Sequence, residues 1–375
     1  MRAWARISVF FLFLVASTAF GFEYRVTGVG GEVTVQREGS KRRRVVKGEV
    51  LKAGDTIWTA RDSIVTLRTE NRHYRVFPYS LVELKDKPVI VWGKLSSSPG
   101  AEFPDIRFYF YPRPAQGRTL KIGLRSQSEA LLVTSHIRND NGYKKEVLFY
   151  HLEEGPYRAL TGFDVELLPD KYWLEVRAEG TASTTWIVYP FYLKASRYGS
   201  GRVYIEQQKS SLFSPSQKKK KEQEELGSVL SSLSDEARWK GKFGYPVKQP
   251  VVISGFGKKR IYYMNHERSM TRYHRGIDFK GEVGDPVFAP GDGVAVFAEE
   301  RITTGNTLVI DHGQGVFSLF FHLDSISILS GTPVKKESRV AEIGSTGITE
   351  GSHLHWGLLV DGVYVDPIDW VKMNF

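Results

Sequence analysis

Polar and apolar residues alternate along most of this chain, and turns rich in Gly, Asp and Pro interrupt the alternation at short intervals. A period of two carries successive side chains to opposite faces of an extended strand, so the pattern predicts a mainly β, multi-domain protein. The stretch 22–95 shows it at Gly31–Val35, Lys47–Ile57, Ser63–Leu67 and Tyr74–Phe77, and is expected to be a small all-β domain. The stretch 103–205 shows it at Leu120–Leu124, Val147–Tyr150, Phe163–Leu167 and Tyr172–Val176, with the turn Leu168–Lys171 before the last strand. Short strands at this spacing predict a β-sandwich whose aromatic residues form its core. With 41% hydrophobic and 13% aromatic residues in 375, the chain can bury several cores. Residues 206–240 read as a charged linker: Lys218–Lys221 is a basic run followed by Glu222, Glu224 and Glu225, and the stretch through Arg238 can form a short amphipathic helix.

Beyond residue 241 the informative residues are histidines. Six of the nine fall between 266 and 355. His353 and His355 are two apart and His274 and Asp278 four apart, so on strands each pair shares a face. A helix would also align His274 with Asp278, but Gly276 between them and the β-branched and aromatic residues around both motifs favour strand and loop. Zinc accepts imidazole nitrogen and carboxylate oxygen, and a catalytic site uses three protein ligands so that a fourth position can hold water. Two histidines and one aspartate fill three places. Two further histidines, counting the isolated His322, remain to take a proton and to support developing charge. No Glu stands in a helical H-E-x-x-H arrangement, so histidine must do the proton work. His266 and His312 are expected to be structural or surface residues.

The segments around these residues are Tyr273–Phe279, Gly284–Val287, Gly305–Gly313, Phe321–Leu323, Gly344–Gly347 and Ser352–Trp356. In that order they resemble the lysostaphin-type, or LytM-type, zinc endopeptidases of bacterial cell walls over roughly residues 243–370. The resemblance implies an antiparallel β zinc-peptidase domain at 241–375, with one Zn2+ per chain bound by His274, Asp278 and His355. It implies that His322 and His353 flank the metal as catalytic groups, one as general base and the other bonding the oxyanion, and that peptidoglycan is the substrate. Relatives that lack a ligand often serve as non-enzymatic activators of other wall hydrolases, whereas all five residues are present here. An activator, or a protease acting on proteins, is the alternative. One departure is Phe320, where many relatives carry Tyr two residues before the lone catalytic histidine. A hydroxyl would have to come from Tyr262, Tyr263 or Tyr273.

Two further resemblances concern the N-terminal half. Gly54-Asp55-Thr56-Ile57 followed by Ser63 and an alternating strand resembles the FecR-type β domains of envelope proteins, and Asp170–Leu174 resembles a strand of immunoglobulin-like modules. At the N-terminus, Arg2 and Arg6 precede the apolar run Ile7–Ala16 and the small residues Ser17, Ala19 and Gly21, the layout of a secretory signal peptide over 1–21. The run is short for a membrane span, so the expectation is an exported protein of the periplasm or envelope with no stable membrane anchor after cleavage. A net charge of +10 suits an anionic partner. Export makes anionic envelope polymers that partner and leaves no role for nucleic acid. Lys41–Arg44 could grip such a polymer, but a solvated hairpin is the simpler reading. The absence of cysteine excludes disulfides, thiolate ligands and lipoprotein attachment.

Overall fold

The computed structural model describes residues 22–375 apart from 86, 99–105, 112, 127–130, 153–155, 206–215 and 265–266. The expected signal peptide at 1–21 and His266 lie outside the described residues. Antiparallel sheets dominate, as the alternation predicts. Among the described residues no helix is long and apolar enough to cross a membrane. The chain divides into two compact units, Met1–Phe103 with Ala182–Ile187, and Pro104–Thr181 with Val188–Phe375.

In the first unit, Glu23–Gly30 pairs antiparallel with Val50–Lys52 and with Ile64–Arg68, and Val33–Arg37 pairs with Asp55–Thr59. Every second residue points inward, so Tyr24, Val26, Val33, Val35, Ile57, Val65 and Leu67 share one buried cluster. Asp55 closes its turn by accepting from the Lys52 backbone N–H at 2.8 Å, and it pairs with Arg37 at 2.9 Å. Two residues of the basic run are occupied within the unit: Arg42 donates to Thr34 Oγ1 at 2.6 Å and lies 4.4 Å over the Trp58 ring, while Arg43 pairs with Glu49.

The second unit contains the strands of 104–181 and everything from Val188 onward. Thr119–Ser126 pairs with Ile106–Tyr111 and with Tyr157–Gly162, and Leu132–Arg138 pairs with Lys171–Glu179. Tyr172 is fully buried, stacks on Phe191 at 5.8 Å and donates its hydroxyl to the Leu168 carbonyl at 2.8 Å, so it belongs to the core. Further along lie β1 (Ser200–Ile205), α1 (Gln217–Ser231), β2 (Lys259–Met264), β3 (Glu267–Tyr273), β4 (Ile277–Lys280), β5 (Gly293–Arg301), β6 (Gly305–Gly313), β7 (Val316–Ile326), β8 (His353–Val360) and α2 (Pro367–Lys372). The main sheet runs in the order β4, β8, β7, β6, β5, each pair antiparallel. A separate small sheet joins β1, β2 and β3, with β1 parallel to β2.

Helix α1 is not a free linker. Four lysines crowd its N-terminal turn, where the helix dipole favours acids, and its Lys220–Glu224 and Lys221–Glu225 pairs run in the weaker orientation at exposed sites. Tertiary packing must therefore hold it. Leu226 is buried with Phe297, Val309, Phe317, Leu319 and Leu359 on the main sheet, which contributes about 1.5–3 kcal/mol. Glu222 accepts from the Ile302 backbone N–H at 3.1 Å, and Arg301 donates to the Glu222 carbonyl at 3.0 Å.

The strands of 104–181 also pack on the C-terminal sheet. Leu160, Val165 and Trp239 share one buried cluster with Val360, Val365 and Trp370. Trp370 donates its indole N–H to Thr119 Oγ1 at 2.9 Å, Lys145 pairs with Asp361 at 2.7 Å, and Arg118 pairs with Asp366 and Asp369. The expected boundary near residue 240 thus falls inside a continuous packed core.

Candidate metal centre

Three neighbouring strands set the centre. In the register of β4 against β8, Asp278 lies opposite His355, and in that of β8 against β7, His355 lies opposite Phe321. His274 comes from the turn between β3 and β4 and reaches the same face. His274 Nε2, Asp278 Oδ1 and His355 Nδ1 lie 2.8–3.1 Å from one another, and all three residues are buried. His274 Nδ1 donates to the Gly255 carbonyl at 2.9 Å, so in the neutral ring its Nε2 turns a lone pair to the centre.

Electrostatics fit the same picture. Burial pushes the His355 imidazole down to about 4, so it is neutral at pH 7. Burial alone would raise the Asp278 carboxyl, but the His274 and His355 rings beside it outweigh burial and hold the group well below the usual carboxylate range. Arg260 on β2 donates to Asp278 Oδ2 at 2.7 Å and to Ser254 Oγ at 3.1 Å, which leaves Oδ1 facing the two imidazoles. The donor set is what a metal requires: two imidazole nitrogens and one carboxylate oxygen converging on one point. A tetrahedral zinc with bonds of 2.0–2.1 Å separates its ligand atoms by about 3.3 Å, close to the spacing found here.

Gly276 allows the approach. A Cβ there would sit 2.4 Å from His355 Nε2 and 2.7 Å from the Trp356 carbonyl oxygen, so a side chain would drive β8 away from the turn.

His322 and His353 stand beside this trio. Their rings are 5.0 Å apart, and His353 Nε2 is 3.8 Å from Asp278 Oδ1. His353 Nδ1 donates to the Gly351 carbonyl at 2.9 Å and His322 Nδ1 to the Thr346 carbonyl at 2.8 Å, so each presents Nε2 to the open side. Burial keeps His322 below its ordinary pKa. A bulge places it there. Between the pairs Leu308–Phe320 and Asn306–Leu323, two residues of β7 face the single Thr307 of β6, and His322 takes φ +61°. In a regular strand Phe321 and His322 would point to opposite faces, but the bulge brings both to the groove, where Phe321 stacks on His355 at 4.9 Å. The Thr346 carbonyl is fixed by Gly347, which packs against the Gly305 backbone with no room for a Cβ.

An open groove of about 1160 Å³ runs over the centre, with Lys258, Arg260, Tyr262 and Arg272 on one side and Thr303, Thr304, Thr349, Glu350 and Ser352 on the other. Tyr262 is therefore the tyrosine of the three that lines the groove, whereas Tyr273 lines a smaller pocket on the far side of His355. Phe320 is buried in the core. His312 is buried away from the groove and hydrogen-bonded at both nitrogens, a structural residue. Sequence reasoning missed Arg260, Phe321 and the carbonyls of Gly255, Thr346 and Gly351. Carbonyls carry no sequence signal, and Arg260 is recognisable only once the strand pairing is known.

Residues 272–367 match Peptidase family M23. The chain is 37% identical over 131 residues to peptidoglycan DD-endopeptidase ShyA of Vibrio cholerae serotype O1, a match covering 35% of this chain and 29% of that protein. It is 33% identical over 120 residues to DD-carboxypeptidase/endopeptidase Mpg of Neisseria meningitidis serogroup B, covering 32% of this chain and 28% of that protein. The matches thus span about a third of the length of these curated relatives. A solved structure from Pseudomonas aeruginosa assigned to peptidase M23 shares the fold with a TM-score of 0.50 and 22% identity, covering 69% of this chain and 94% of that one. That coverage exceeds residues 272–367, so the likeness extends to strands ahead of them.

Proposed function

Because residues 272–367 form a domain of Peptidase family M23, we propose that this chain is an exported zinc metalloendopeptidase that hydrolyses peptide bonds in the stem peptides or cross-bridges of peptidoglycan. The observation that carries this reading is the convergence of His274 Nε2, Asp278 Oδ1 and His355 Nδ1 within 3.1 Å, beneath a groove that also exposes His322 and His353. Those three atoms would hold one zinc per chain. When bound it supplies Lewis-acid polarisation of a peptide carbonyl and acidification of water.

The remaining roles belong to the chain. Arg260 restrains the second oxygen of Asp278, and Phe321 braces the His355 ring. His322, kept neutral by burial and held at Nδ1 by the Thr346 carbonyl, accepts the proton of the attacking water at Nε2. His353, held at Nδ1 by Gly351, supports the charge developing on the carbonyl oxygen. In this reading 22–95 is a FecR-like module and 103–205 an immunoglobulin-like one, which together place or restrain the catalytic domain at the anionic wall.

The test is digestion of purified walls and of a panel of proteins side by side, with products read by mass spectrometry. The account expects muropeptides cut at a peptide bond from walls, and none with Asp278→Ala. Cleavage of proteins with walls left intact would overturn the substrate assignment.

A further inference from the structure

The small sheet of β1, β2 and β3 places a charge pattern next to the centre. Arg260 lies directly opposite Arg272, and one step beyond the ladder the His274 N–H donates to the Lys258 carbonyl at 3.0 Å while the Gly257 N–H donates to the His274 carbonyl at 2.8 Å, which sets Lys258 beside His274. Lys258 directly precedes β2 and His274 directly follows β3, and with Arg260 and Arg272 on those strands all four line the groove. Like charges directly opposite one another destabilise a sheet. One of the three cations is neutralised, since Arg260 is paired with Asp278 at 2.7 Å. Lys258 and Arg272 have no ion-pair partner among the described residues, and Arg272 is exposed. The groove's acid besides Asp278 is Glu350, on the opposite wall. Diagonal neighbours across an antiparallel pair have Cβ atoms about 7 Å apart, a gap that two long cationic side chains close around one carboxylate.

We propose that Lys258 and Arg272 form a carboxylate-binding subsite beside the metal centre, which makes the chain select wall peptides carrying a free carboxylate close to the bond that is cut. This rests on the peptidase reading above and names a specificity within it. Arg260 is not part of the subsite, because its charge is already engaged by Asp278. Arg202 on β1 and Lys219 on α1 also line the groove, but Lys258 and Arg272 are the cations that flank Arg260 beside the centre.

The experiment uses the full chain loaded with zinc and soluble cross-linked muropeptides, either untreated or with their carboxylates converted to carboxamides by carbodiimide and ammonia. Wild type is expected to show a KM about tenfold or more higher for the amidated peptides, with kcat similar, since a hydrogen bond to a charged group contributes about 1.5–3 kcal/mol. In Lys258→Gln and Arg272→Gln the KM for untreated peptides is expected to rise about tenfold, so that preference between the two substrates collapses, while zinc content and melting temperature stay at wild-type values. Equal KM values for both substrates in wild type overturn the subsite, whatever the variants do. A variant that loses rate on both substrates in the same proportion overturns that residue's part in it. Cleavage of neither substrate overturns the peptidase reading itself.

Discussion

His312 and His355 are both buried, and burial pushes both imidazoles down to about 4, yet they occupy opposite kinds of site. His312 bonds the Asp292 carbonyl through Nδ1 at 2.8 Å and Ser318 Oγ through Nε2 at 2.9 Å, so each nitrogen has its own partner. His355 turns Nδ1 into a space already occupied by a carboxylate oxygen and a second imidazole nitrogen. Burial and a lowered pKa therefore do not distinguish a ligand from a core histidine. What distinguishes them is whether several acceptors point at one point in space, an arrangement that a cation stabilises and that costs energy without one.

The largest expected consequence of that contrast is loss of metal. Asp278→Ala or His274→Ala should lose both zinc and hydrolysis, whereas His312→Gln should keep stoichiometric zinc; metal analysis of the purified variants checks both. Full zinc occupancy in Asp278→Ala would break the comparison at its root. Next in size, His322→Ala and His353→Ala should retain zinc and lose about 10²–10⁴-fold in turnover, because each contributes a proton-handling Nε2 rather than a ligand. Loss of zinc in either would move that residue into the ligand set.

Acid sharpens the contrast at His312. Its folded pKa of about 4 lies below the unfolded value of about 6.5, so the unfolded chain binds more protons between these limits. Its contribution is complete above about pH 6.5 and is lost as pH falls towards about 4, a change of about 3 kcal/mol. Urea unfolding of wild type and His312→Gln across that range should show the wild-type chain losing stability relative to the variant as pH drops; parallel curves would show that His312 is not neutral in the folded state. Smallest of all, Ser318→Ala should cost about 1–2 kcal/mol by leaving His312 Nε2 without its partner, with zinc unaffected.

Much of this was legible in the sequence. The alternation gives strands because each strand has one face buried, and the spacing of His353 from His355 returns both side chains to one face whatever the sheet order, whereas His274 reaches Asp278 from the turn ahead of β4. The position of His322 was not legible, because a regular strand would point it away from Phe321 and only the bulge opposite Thr307 turns it into the groove. Arg260 was hidden for a similar reason, since its pairing with Asp278 depends on how two sheets meet. The stretch 217–231 reads as a solvated linker because all of its first nine residues are polar or charged, and a single Leu226 carries most of its docking. The boundary expected near 240 has the same origin: Leu160, Val165 and Trp239 are unremarkable in sequence, yet they share a core with Val360 and Trp370. A fragment beginning near Lys240 would lose those contacts and leave Asp366 and Asp369 without Arg118.

The most direct test of the central claim is a zinc titration of the metal-free full-length protein, following muropeptide release from purified walls. The account predicts no release without metal and a rate that rises linearly with zinc until one ion per chain, then levels off. Full release by the metal-free protein, or a rate indifferent to added zinc, would contradict it.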